Sequence, residues 1–482
     1  MTQTKSKSCI ALLLFVIFLA APGCVATAPV GPQKGSVVKA AESRPRGAAY
    51  QEMVARYGGV YRDPKVSLWL STVGQSLAAH CGRPDIPFTF TILDTGEINA
   101  FSTPGGDIYV TRGLLALADN EAEVAAALSH EMGHLIHGDQ GERYRQSQET
   151  GLAGLFSGSP GWGRPNFILT TERIRFTQDQ EFRADEAGIQ IMATSGYDPR
   201  AMASLLAAVD REAQSAVDTA APYARPLADT SYGDSHPLTA ERVAAAARLA
   251  SLNHSGNDRS SRDLYLQAVD GLLYGAGSGQ GYVRNHVFVH PAAGITFRLP
   301  DGFIPRSTRS AFIATRADGA ALVLTSAAPG TAASPYDYLT EIWARDIVLD
   351  TSDPITVNGR PGAIATAHIL SDLGPVDVRL IAIGWSPSLV YRMIFIAPAY
   401  AGVDLQACID TSAGSFRALS KAEAARIAPF RLHVVAAQPQ DTLGMLLRHM
   451  AADVSREELF RTLNRLAPSD SIRSGRQYKL VE

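Results

Sequence analysis

Residues 127–139 read ALSHEMGHLIHGD, and this stretch constrains the fold more than any other. Asp119 or Asn120 can cap a helix here, Glu121 and Glu123 suit its first turn, and Gly138 can end it. His130 and His134 then stand one turn apart on one face. Two imidazoles so placed can reach one zinc ion at about 2.0–2.1 Å each. Glu131 lies beside them, where it can hold a water rather than ligate. A metal lowers that water's pKa to near 7, and a carboxylate can take its proton as it attacks a carbonyl. His137 shares the face, but a rise of about 1.5 Å per residue sets its backbone roughly 10 Å from that of His130. It reads as a histidine of the last turn, favourable against the helix dipole. A pair of His134 and His137 is geometrically open but leaves Glu131 without a role.

One helix cannot complete such a shell, because zinc needs a third protein ligand. The stretch DQEFRADEAGIQIM, 179–192, offers it. Glu181 and Asp185 are four apart, so on a second helix they face the same way. Glu181 can be the third ligand. Asp185 can accept the free N–H of a ligating histidine, which sets its tautomer and orientation. The alternative is a solvated acidic helix start. The apolar spacing of Phe182, Ile189 and Met192 favours burial.

H-E-x-x-H followed about fifty residues later by E-x-x-A-D-x-x-G, here EFRADEAG, resembles peptidase family M48. NAFSTPGGDIYVTRGLL resembles that family's segment ahead of the metal helix, and SHPLTAERV its downstream S-H-P-x-x-x-x-R. The resemblance spans about residues 50–250. It implies a gluzincin-type zinc endopeptidase with one Zn2+ per chain, ligands His130, His134 and Glu181, and Glu131 as catalytic base. It also implies a part in envelope protein quality control. Unlike the HtpX-like and Ste-type branches, this chain has no internal membrane span. Unlike the BepA-like branch, it has no 34-residue helical repeat.

The flanking motifs carry further expectations. GGDIYV, with Gly106, Asp107, Ile108 and Tyr109, reads either as an edge strand that binds substrate by strand addition or as an ordinary hairpin strand. Arg242 is expected to stabilise the oxyanion or to orient Asp185 or Glu181, against an ordinary surface arginine. His236 is expected near the zinc, donating to the oxyanion or taking the open coordination position. The alternative is a histidine packed under the turn fixed by Pro237. Residues 146–170, Gly-rich yet apolar, read as a lid over the cleft or a loop packed on the body.

At 482 residues the chain is too long for one core, and about three domains are expected. The first 23 residues read as a signal peptide: Lys5 and Lys7 precede the apolar run IALLLFVIFLAA. APGC resembles a bacterial lipobox, which implies acylation of Cys24 and a tether over 24–49. The zinc metallopeptidase domain is expected over 50–252, mainly helical with a small β-sheet. A linker over 253–280 leads to an α+β sandwich over 281–425, whose pattern resembles the PsbP/Mog type. A βααβ module over 426–482 resembles LysM, and peptidoglycan is its implied partner. Cys81 and Cys408 remain in the mature chain and are able to pair in an oxidising compartment.

The formal net charge of −3 leaves no cationic excess for nucleic acid. The leading expectation is a periplasm-facing zinc endopeptidase acting on protein or peptide substrates, lipid-anchored to the outer membrane. The runner-up is a non-catalytic assembly or wall-binding scaffold with a structural or dormant zinc site. A zinc peptidoglycan amidase is the third.

Overall fold

The computed structural model describes residues 50–139, 176–219 and 236–482, apart from short gaps within them. Cys24, the signal and tether segments and the stretch 146–170 lie outside the described residues.

The first domain is built on α1 (Pro64–Ala78), α2 (Arg112–Leu117), α3 (Glu121–His137), α4 (Gln178–Thr194), α5 (Ala201–Thr219), α6 (Ala240–Asn253) and α7 (Arg262–Val269). A three-stranded sheet of β1 (Thr89–Leu93), β2 (Ala100–Thr103) and β3 (Asp107–Thr111) accompanies them. In α1, Val66, Leu70, Val73 and Leu77 recur at helical spacing and are buried, while the Asp63 side chain accepts from two first-turn N–H groups. Helix α3 is the centre of the domain. It is buried from Glu121 to His134, capped by Asn120 and ended by Gly138 in the left-handed conformation.

The sheet order is β1-β3-β2, with β1 parallel and β2 antiparallel to β3. The strand carrying Gly106, Asp107, Ile108 and Tyr109 is therefore central. It cannot receive a substrate strand, because both its edges are already hydrogen-bonded. The sequence hid this because its parallel partner, β1, lies outside the hairpin. Among the described residues, the outer edge of β2 pairs with no strand.

The second domain holds β4 (Tyr282–Arg284), β5 (Val287–His290), β6 (Ile295–Arg298), β7 (Ile304–Ser307), β8 (Phe312–Thr315), β9 (Ala321–Ala327), β10 (Thr351–Val357), β11 (Arg360–Ser371), β12 (Gly374–Ser386), β13 (Leu389–Pro398) and β14 (Arg417–Ala418). Seven strands form an antiparallel sheet in the order β10-β11-β12-β13-β9-β8-β7. The helical segment 335–343 packs Leu339 and Trp343 on one face. The other face meets the sheet β14-β6-β5-β4 and α8 (Leu405–Ser412) through Phe288, Phe297, Leu405 and Ile409. Cys408 belongs to this core, whereas Cys81 packs against that of the first domain, and both are free thiols.

After α9 (Lys421–Arg426) comes β15 (Leu432–Ala436), α10 (Leu443–His449), α11 (Arg456–Leu463) and β16 (Gln477–Val481), with the two strands antiparallel. This module does not hang free. Leu432, Leu446, Phe460, Tyr478 and Leu480 share one continuous core with α1 and α3. Part of the stretch expected to be a plain linker, 253–280, is instead α7, whose Tyr265, Leu266 and Val269 are buried in that same core. Gly271 N–H donates to Leu432 O at 2.8 Å and Tyr274 N–H to Phe430 O at 2.8 Å, which joins the module to the segment after α7.

Candidate metal centre

Two helices must approach closely for residues fifty apart to share an ion, and small residues allow it. A Cβ on Gly133 would fall 2.6 Å from the Ala184 carbonyl oxygen, so HEMGH meets EFRADEAG backbone to backbone. A Cβ on Gly188 would fall 3.1 Å from the His130 nitrogen. The capping box at Thr177 starts α4 in register, placing Glu181 in its first turn and Asp185 one turn later.

This packing brings four ligand-type side chains together: His130, His134, Glu181 and His236, whose donor atoms all lie within 4.8 Å of one another. His130 Nε2 is 3.1 Å from His134 Nε2 and 3.1 Å from His236 Nδ1. Glu181 Oε1 is 2.9 Å from His236 Nδ1 and 3.3 Å from His134 Nε2. All four are fully buried. His137, in contrast, is exposed and outside the cluster.

Carboxylates fix the ring orientations. His130 Nδ1 lies 2.8 Å from Asp185 Oδ1, the partner expected from the sequence. His134 Nδ1 lies 3.0 Å from Asp139 Oδ2, a partner the sequence reading missed. With each Nδ1 facing a carboxylate, both Nε2 atoms turn to each other across 3.1 Å and toward Glu181. Two imidazole nitrogens so close in a dry core need a cation between them or a proton on one of them. Two nitrogens at about 2.0–2.1 Å from one tetrahedral ion would stand about 3.4 Å apart, so the spacing suits zinc.

Arg242 is buried and engaged with carboxylates. Its Nε and Nη2 bind Asp185 at 2.6 and 2.8 Å, and its Nη1 forms an ion pair with Glu181. Of the roles open to it, the observed contacts are those that orient Asp185 and Glu181. Ser102 on β2 donates to Glu131 Oε2 at 2.8 Å. Glu131 Oε1 has no hydrogen-bond donor among the described residues and lies 3.3 Å from His236 Nε2. Phe176 stacks on His134 at 3.7 Å between ring centroids. Ser102 and Phe176 carried no local signal. Asp139 did, as the acidic residue just past the helix-ending Gly138.

Burial and the neighbouring charges oppose each other across the site, and the outcome differs by group. Burial raises the Glu131 carboxyl, with the nearby His134 and His130 opposing. It pulls His236 down to about 4 against the attraction of Glu181. For His134 burial is overcome by the bonds to Asp139 and Glu181, which hold the imidazole at about 9. The Glu181 carboxyl resists burial and sits well below its usual range, because His236, His134 and Arg242 favour its charge. A ligand set that keeps a proton in a dry pocket is one in which a cation can replace it.

The sequence profile of peptidase family M48 matches residues 64–250. The chain is 27% identical over 266 residues to the beta-barrel assembly-enhancing protease of Escherichia coli, covering 52% of this chain and 53% of that one. It is 28% identical over 191 residues to the protein of the same name from Yersinia pestis, covering 37% and 39%. It is 27% identical over 178 residues to the mitochondrial metalloendopeptidase OMA1 of Schizosaccharomyces pombe, covering 35% and 52%. The chain thus spans about half the length of the Escherichia coli relative it matches. Among solved structures, the cyanobacterial PsbP of Synechocystis aligns at a TM-score of 0.23 and 11% identity, covering 30% of this chain and 98% of that one. So low a TM-score carries no argument about the second domain. Among the described residues no helix is long and apolar enough to cross a membrane. The profile match, the H-E-x-x-H helix and the convergent donors agree: residues 64–250 are a domain of peptidase family M48, and its metal is zinc.

Proposed function

We propose that this chain is a zinc-dependent endopeptidase of the bacterial cell envelope. The observation that carries the reading is Glu131. It is buried beside the donor cluster with one oxygen held by Ser102 and the other turned toward His236. When bound, zinc supplies a Lewis acid that stabilises charge on a carbonyl oxygen and acidifies a water. Glu131 takes the proton of the attacking water and returns it to the leaving amine. Its raised pKa suits a carboxylate that must hold that proton. His130, His134 and Glu181 would hold the metal, with Asp185 and Asp139 setting the imidazole tautomers. Arg242 acts through Asp185 and Glu181 as a positioning residue.

His236 supplies a fourth protein donor, so in this arrangement it closes the position a substrate carbonyl needs. We read it as a gate that must swing out before peptide can bind. The open edge of β2 offers the substrate main chain a strand to pair with. The signal-like N-terminus, Cys24 in its lipobox-like setting and the relatives named beta-barrel assembly-enhancing protease support a periplasm-facing enzyme. On this reading it is lipid-anchored to the outer membrane and acts on misassembled envelope proteins. The βααβ order of the last module supports a LysM-like origin, with peptidoglycan as a further partner. Retention on isolated sacculi tests that part.

A second reading has one observation in its favour. Four protein donors are the complement of a structural zinc site, as a non-catalytic scaffold would have. Zinc content and casein cleavage of the wild type and Glu131→Gln separate the two. The peptidase reading expects retained zinc and a loss of cleavage of about 10²–10⁴-fold. Unchanged cleavage in the variant overturns it.

A further inference from the structure

The last module touches the metal helix at a place where its own backbone is under strain. Helix α11 ends in a Schellman turn. Leu466 N–H donates to Arg461 O at 2.9 Å and Arg465 N–H to Thr462 O at 3.3 Å. That turn puts Arg465 in the left-handed conformation, φ 52°. Glycine is the usual residue there because it has no Cβ to clash, and an arginine is strained. Strain kept at a position where glycine would relieve it marks a side chain with work elsewhere.

The Arg465 guanidinium reaches across the domain boundary. Its Nη2 donates to Glu123 Oε2 at 3.0 Å, and Glu123 is almost fully buried. Glu123 sits in the first turn of α3 and closes it: Oε2 also accepts the Asp119 N–H at 2.8 Å, and Oε1 accepts the Ser204 hydroxyl at 2.6 Å. Two neighbouring contacts grip the same place. Lys479 Nζ on β16 donates to the carbonyls of Ala116, at 2.8 Å, and Ala118, the residues just before that turn. Arg262 ties Asp119, at 3.4 Å, to the Gln477 carbonyl at 3.1 Å. His130 lies seven residues beyond Glu123, two turns along the same face.

We propose that Arg465 is a positioning residue for the metal centre, acting on α3 from outside the M48 domain. Held by Glu123, the start of α3 fixes the axial and rotational setting of His130 and His134 against Glu181 on α4. The module is thereby part of the peptidase and not a detachable accessory. This inference rests on the zinc-peptidase reading for its consequence in catalysis, but the clamp itself can be read without activity.

The test uses the full chain as wild type, Arg465→Gly, Arg465→Lys, Glu123→Gln and the double variant Arg465→Gly/Glu123→Gln. Zinc affinity by chelator competition, amide hydrogen exchange in α3, the thermal midpoint and kcat against KM on a peptide are measured. Arg465→Gly relieves the strained turn but takes the cation from the buried Glu123 carboxylate, so the two effects oppose and its midpoint should stay close to wild type. Its zinc affinity should nonetheless fall about 3- to 10-fold and α3 should exchange faster, a coupling of the size usual between linked sites. The loss should appear in kcat and not KM. Arg465→Lys should recover part of the affinity, and the double variant should be no worse than Glu123→Gln. Zinc affinity within twofold of wild type with unchanged α3 exchange overturns the proposal, as does a loss that merely follows a falling midpoint. A wild type that binds zinc but cleaves nothing defeats the peptidase reading and leaves the affinity and exchange results to decide the clamp.

Discussion

His130 and His134 are matched by chemistry: each gives Nε2 to the cluster and Nδ1 to a carboxylate. Asp139→Asn should therefore weaken zinc binding about 10–100-fold, as Asp185→Asn should, because a neutral amide no longer enforces the tautomer. Chelator competition reads both, and an Asp139 variant within twofold of wild type would deny that role. His236→Ala removes the fourth donor. It should loosen zinc and raise the initial cleavage rate at saturating metal; a variant unchanged in both would sink the gate. At this scale the motif made His130, Glu131, His134 and Glu181 legible, because helical periodicity converts spacing into facing. Asp139 was missed although adjacent, since its carboxylate folds back only after the Gly138 turn. Ser102 and Phe176 arrive from a strand and from the start of α4, where no periodicity links them to the site.

Between elements, the packing of α3 on α4 decides whether the shell exists at all. Gly133→Ala puts a methyl into the Ala184 carbonyl, so the helices must part, at a cost of about 1–3 kcal/mol for the overpacking. Gly138→Ala meets nothing within 4 Å among the described residues, and its left-handed backbone costs about 1–2 kcal/mol. Urea denaturation with zinc analysis separates them: Gly133→Ala should lose metal as well as stability, and Gly138→Ala stability alone. The small sheet shows what patterning leaves open. The sequence left GGDIYV as an edge strand or an ordinary hairpin strand, and a hairpin does not reveal whether a third strand covers its outer edge. Here β1 does, in parallel, and the open edge passes to β2.

Across the whole molecule, the last module completes the core of the first domain. Deleting residues 426–482 removes Leu432, Phe460, Tyr478 and Leu480 from that core. The truncated chain should be unstable and prone to aggregate, not a peptidase freed of an accessory. Circular dichroism and size-exclusion chromatography of the truncated chain check this. Lys479 gives the interface a pH signature. Burial lowers its ammonium to about 7 from the usual 10.5. Between those values the unfolded chain binds more protons than the folded one, so Lys479 makes stability rise with pH from about 7 to 10.5 and contributes no slope below. The wild type and Lys479→Met, compared by urea denaturation over that range, should differ in slope, with the variant flatter. Equal slopes would mean that Lys479 stays charged among its oxygen partners, the Ala116 and Ala118 carbonyls and the Tyr265 hydroxyl.

The sequence alone determined the local chemistry. One turn of helix sets His130 against His134 with Glu131 beside them, and four-residue spacing puts Glu181 and Asp185 on one face of a second helix. These follow from fixed rise and rotation per residue, which need no partner. Only the tertiary structure decided which strand edge is open, that Asp139 completes the second histidine pair, that His236 lies in one buried cluster with His130, His134 and Glu181, and that the last module grips the start of the metal helix. Each is a contact between segments whose separation along the chain carries no phase, so only the packed core brings them into register.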